Sequence, residues 1–96
     1  MNKLHELHEL HKNRLKIDAI DKKIIGLLEQ RQYICGKIGE IKKCKTIHVQ
    51  DTKREENIID NLSGESSILT RENIKDIYNV IFRISRDFQR IQNNTL

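Results

Sequence analysis

The chain has 96 residues, a net charge of +4 and a pI near 9.2, which is room for one domain whose core is marginal alone. It is 33% charged, with no Pro and no Trp, and no stretch alternates strictly between apolar and polar, so the composition favours an all-α fold. No stretch approaches the ~20 apolar residues of a membrane span, and the first 14 residues lack the apolar run of a signal peptide, so a cytoplasmic protein is expected.

The first predicted helix covers about residues 4–44. Its opening repeats His-Glu-Leu, placing His5, His8 and His11 beside Leu4, Leu7 and Leu10. Histidines three apart can bind metal, but no acidic or cysteine ligand completes a site, so a solvated helix start is preferred. From residue 14 onward an apolar stripe runs through Ile17, Ile20, Ile24, Leu27, Leu28, Ile34, Cys35 and Ile38. Such a helix spans ~60 Å, against a diameter of roughly 25 Å for a 96-residue globule. Two shorter helices cannot cover that stripe. A partner chain in a homodimer is the expected solution; a frayed end or a kink near Gly26, Gly36 and Gly39 is the alternative. Gly39 lies beside the stripe, where it permits a close helix approach.

Two cations break the stripe. Arg31 and Lys42 project ~20° apart and lie ~16 Å apart along the axis. An unpaired charge in a core costs several kcal/mol. The pattern alone leaves three answers open: an anion bound between them, a buried salt bridge to Glu55 or Asp51, or side chains that snorkel outward. Arg14 projects ~100° from Arg31 and ~25 Å down the axis. It is either a surface arginine or, in an antiparallel dimer, a visitor to the partner's site.

Residues 45–50, with Thr46, Ile47, His48 and Val49, are expected to form a loop. Asp51 then caps a second helix at about 52–62, with Ile58, Ile59 and Leu62 as its apolar positions. Asp51, Arg54 and Glu55 cluster at its start, where a helix favours anions; ordinary capping and surface pairing is the plainer reading. Residues 63–67 form a break. Thr70 caps a third helix running to about 92, with the tail at 93–96 frayed. Its stripe is Ile74, Ile77, Tyr78, Ile81, Ile84 and Phe88. Ser85 and Gln89 put hydrogen-bonding groups on that face, either to serve a ligand or to satisfy buried backbone.

Cys35 and Cys44 fit no redox or zinc spacing and read as reduced thiols. No nucleophile–base pair, phosphate loop or metal motif stands out. An enzyme of this kind would need no proton shuttle, metal or cofactor.

Together these exceptions resemble the all-helical class of chorismate mutase. Arg14, Ile17, Asp18, Ile20 and Asp21 are similar to its opening L-R-x-x-I-D-x-I-D, with Asn13 where that pattern has Leu. The likeness continues through Leu27, Leu28, Glu29, Gln30 and Arg31, then Ile38, Gly39, Glu40, Ile41 and Lys42. Val49, Asp51, Arg54 and Glu55 match V-x-D-x-x-R-E, although His48 stands where the family often has Pro. Ser85, Arg86 and Gln89 match S-R-x-x-Q.

The resemblance implies an intertwined homodimer of three-helix subunits that rearranges chorismate to prephenate on the route to phenylalanine and tyrosine. It implies that Arg31 and the partner copy's Arg14 bind the substrate carboxylates. Lys42 and Gln89 would donate to the ether oxygen. Glu55 and the Asp51 backbone would hold the ring hydroxyl, while Arg54 and Ser85 support the ring carboxylate. The rivals are isochorismate–pyruvate lyase on the same fold, a basic helical nucleic-acid-binding dimer and a purely structural dimer. The Arg54–Glu55 pair and Gln89 favour the mutase. The apolar setting of Arg31 and Lys42 argues against nucleic acid, which needs an exposed basic face.

Overall fold

Side-chain oxygens cap the starts of three helices. In the computed structural model, which describes residues 2–45 and 51–94 (side chains 2–42 and 51–90), these helices are α1 (Lys3–Lys45), α2 (Thr52–Ser63) and α3 (Arg71–Asn94). Among the described residues there is no strand. Asn2 opens α1, its side-chain oxygen accepting from the His5 backbone N–H at 2.8 Å. Asp51 caps α2 by accepting from the Arg54 N–H at 3.0 Å. Thr70 and Asn73 cap α3 reciprocally: each side chain accepts from the other's backbone N–H at 3.0 Å. In the connection between α2 and α3, Ser66 Oγ accepts from the Ile68 and Leu69 N–H groups at 3.2 and 2.8 Å.

The predicted helices match to within a residue or two, α3 running on to Asn94. No Gly or Pro stands beyond Phe88 to end the helix earlier. The expected loop with Thr46, Ile47, His48 and Val49, and the Cys44 side chain, lie outside the described residues.

The chain divides into two units, 1–31 and 32–96, with α1 contributing to both. In the first unit the predicted stripe is not sheltered within one chain: Ile17, Ile20, Ile24 and Leu27 are all exposed, Ile17 by 57%. Averaged over its 43 residues, α1 is weakly two-sided, because Leu4, Leu7, Leu15, Ile25 and Tyr33 lie off the stripe while Arg31 and Lys42 interrupt it.

In the second unit, Cys35, Ile59, Ile74 and Phe82 are buried, with Ser85 and Gln89 beside them. The Tyr78 and Phe82 rings pack at 5.7 Å and 58°. α3 is strongly two-sided, but a second apolar row on it (Ile77, Val80, Ile84, Phe88) is exposed, as are Ile34, Ile38 and Ile41 on α1. Among the described residues, no helix is long and apolar enough to cross a membrane.

Candidate active site

The site is best built outward from Gly39. A Cβ at that position would stand 2.9 Å from Gln89 Cα and 3.1 Å from its carbonyl oxygen, so α1 and α3 touch backbone to backbone there. One turn further along α1 is Lys42, half-buried. Gln89 is 7% exposed, and its Oε1 is buried with no hydrogen-bond partner. A buried amide that lacks a partner costs about 1–3 kcal/mol. Either end of the amide can face outward after a half-turn, so Gln89 can offer a donor or an acceptor.

One turn earlier on α3 is Ser85, 5% exposed, whose Oγ donates to the Ile81 carbonyl at 2.8 Å. That bond fits the plainer reading of Ser85, and the hydroxyl oxygen retains lone pairs to accept with. Next in sequence is Arg86, whose Nη1 lies 2.7 Å from Glu55 Oε2. The pair ties α3 to α2, with side chains 20% and 21% exposed. Glu55 belongs to the first turn of α2, which the Asp51 cap sets; the Glu55 N–H donates to the Asp51 carbonyl at 3.0 Å. Asp51 and Arg54 are exposed at the same helix end.

Within the second unit, Gly39 meets Gln89, Ser85 lies one turn from Gln89, and Arg86 meets Glu55 at the Asp51-capped start of α2; Lys42 is one turn from Gly39 on α1 and Arg54 precedes Glu55 in sequence. Arg31, half-buried, and Arg14, exposed, belong to the first unit. The sequence pattern offers Lys42 or a ligand hydroxyl as the partner of Glu55, with ordinary surface pairing as the plainer reading, and does not offer Arg86. The signal was present in the S-R-x-x-Q match, but the angle of Arg86 on α3 reads as a solvated flank. Gln32 Oε1, also buried without a partner, had no sequence signal.

A shallow cleft of about 260 Å³ lies between α1 and Phe88, lined by Gln32, Tyr33, Gly36, Lys37 and Glu40. Lys37 Nζ sits 4.7 Å from the Tyr33 ring centre. None of the expected site residues lines this cleft. Its α1 residues project ~80–180° from Lys42 on the helical wheel. Among the described residues, no three His, Cys, Asp or Glu side chains gather in a way that could hold a metal ion, and this includes His5, His8 and His11.

The three-helix chain matches the family described as chorismate mutase type II. Residues 13–90 match that family, and the chain belongs to it. Among solved structures, it is similar to chorismate mutase from Helicobacter pylori in complex with prephenate. That match has 33% identity and a TM-score of 0.86, covering 93% of this chain and 98% of the other. It is also similar to a conserved hypothetical protein from Pyrococcus furiosus, at 36% identity and a TM-score of 0.72, covering 85% of this chain and 96% of that one. No curated protein matches significantly. Family and fold together make the chain a chorismate mutase, an isomerase.

Proposed function

We propose that the chain converts chorismate to prephenate in a pocket completed by a second copy of itself. The supporting observation is that Ser85 and Gln89, two buried polar side chains one turn apart on α3, lie in the unit where Gly39 of α1 meets Gln89 and the Arg86–Glu55 pair ties α3 to α2. The reaction is a unimolecular pericyclic shift in which a C–O bond breaks as a C–C bond forms. Such a shift requires no nucleophile, general base, metal or cofactor. The protein must hold a flexible dianion in a compact chair and stabilise the negative charge that grows on the ether oxygen.

Lys42 and Gln89 donate to that oxygen. Arg31 and the other copy's Arg14 take the carboxylates, while Arg54 and Ser85 support the carboxylate on the ring. Glu55 and the Asp51 backbone hold the ring hydroxyl. Away from water these charges act with greater force than on a surface.

The homodimer is part of the same reading. Exposed apolar rows on α1 and α3 leave a single chain with few buried side chains, and a mating chain would cover them. We place the protein in the cytoplasm, where Cys35 stays a buried thiol. Neither a membrane nor a nucleic acid is needed as a partner.

Incubation with chorismate and identification of the product tests the reading. Prephenate is expected. Salicylate from isochorismate, with no prephenate from chorismate, would assign the lyase reaction instead. Salt-dependent DNA binding with neither product would point to a nucleic-acid-binding dimer.

A further inference from the structure

We propose that Arg86 is a positioning residue for this reaction, acting through Glu55 to recognise the ring hydroxyl. The inference rests on the function proposed above. Its starting point is a difficulty in that site: a pocket for a dianion contains a carboxylate. Left alone, Glu55 would repel the substrate, and its side chain could turn among several rotamers.

The Arg86 guanidinium removes both problems. At 2.7 Å from Oε2 it balances the charge and holds the carboxylate by one oxygen. A carboxylate has acceptor sites on both oxygens, so Oε1 remains able to accept from a hydroxyl. The partners sit on different helices 31 residues apart. Glu55 is set by the Asp51 cap at the start of α2, and Arg86 reaches it from the middle of α3. A pair only about one-fifth exposed is partly shielded from water, which strengthens it relative to a surface pair.

A site built to bond a hydroxyl discriminates against an analogue that lacks it, because its polar groups are then left unpaired. This gives a readout that a merely structural tie between α2 and α3 would not move. Wild type, Arg86→Ala and Arg86→Lys are compared on chorismate and on a chorismate analogue lacking the ring hydroxyl, with melting temperatures alongside. On chorismate, Arg86→Ala is expected to lose on the order of 10-fold or more in kcat/KM, and on the analogue less than about twofold. Arg86→Lys should recover part of the loss, since an ammonium can still meet one oxygen.

Equal losses on both substrates, or no loss on chorismate, would overturn the proposal. If Arg86→Ala does not fold, Arg86→Lys and the neutral Arg86→Gln are judged by the same two substrates and the same criterion. The wild-type control separates the two readings. A wild type that makes no prephenate overturns the function, whereas an active wild type whose Arg86 variants ignore the hydroxyl overturns only the positioning role.

Discussion

Gly39 rests on the backbone of Gln89, close enough that a Cβ would meet Gln89 Cα at 2.9 Å. The obstacle is main chain, so no side chain can swing aside to make room. Gly39→Ala must push α3 away, and Gln89 moves with it. Alanine favours a helix over glycine by about 1 kcal/mol, but overpacking costs about 1–3 kcal/mol. The expected result is a lower melting temperature and, if Gln89 donates to the ether oxygen as proposed, a fall in kcat on the order of 10-fold, since small misplacements of such a donor are expensive. Turnover and melting unchanged from wild type would mean that the close approach is not required.

Gly26 is the contrasting case. A Cβ there meets nothing within 4 Å. Gly26→Ala should therefore raise stability by about 0.5–1 kcal/mol through helix propensity and a less flexible unfolded chain. Thermal or urea unfolding measures this. A loss of stability would reveal a surface covered in the assembled protein, at a place where the single chain is open.

These two glycines show how far the sequence could be read. Apolar periodicity and the caps at Asp51 and Thr70 were enough to locate three helices, because local signals determine where helices start. The close approach at Gly39 was foreseen from its place beside the stripe, but its partner, Gln89, was not. Which residue of one helix meets which of another depends on packing distances that no local pattern carries. Arg86 was missed for the same reason, since its partner is 31 residues away on another helix. The stripe itself was identified correctly as apolar, yet Ile17 and Ile24 are exposed. A sequence shows that a face is apolar without showing which chain covers it.

Gln89 should make the enzyme insensitive to pH through neutrality. An amide donates at every pH in that range, whereas a carboxyl donates only while protonated. Gln89→Glu should accordingly confine activity to acid solution, with the rate falling as the new carboxylate ionises. A pH–rate profile of wild type and variant on chorismate decides it. A wild-type rate that collapses on leaving acid solution with the fold intact, or a variant that keeps full activity at neutral pH, would remove Gln89 from the ether oxygen.

Arg71 offers a linkage test outside the site. Its guanidinium lies 2.6 Å from Asp60, and the hydrogen bond to that carboxylate, then its charge, hold the Arg71 pKa above the ordinary value. A cation whose folded pKa is raised stabilises fully below its unfolded pKa and loses that contribution only as pH rises through the folded one. For an arginine that window lies beyond ordinary alkaline conditions. Both side chains are more than half exposed, so water and salt screen the pair. Arg71→Gln should shift the melting temperature only slightly, and by the same amount from about pH 6 to pH 9. A shift that changes across that range would mean that another titrating group depends on Arg71.

The proposed sharing of Arg14 between copies can be tested without a structure of the dimer. Lys42 and Arg14 would serve the same pocket from different chains. Arg14→Ala alone and Lys42→Ala alone should each lose orders of magnitude in rate, because every site then lacks one cation. When the two variants are unfolded together and refolded at equal ratio, half of the dimers pair one of each. In such a dimer one site contains Lys42 from the first variant and Arg14 from the second, both intact, while the other site lacks both. About a quarter of all sites should then be wild type, and activity should return to about that level. Separate refolding of each variant controls for simple recovery. Mixed samples as inactive as the separate ones would show that Arg14 and Lys42 do not meet across an interface, and Arg14 would revert to a surface arginine.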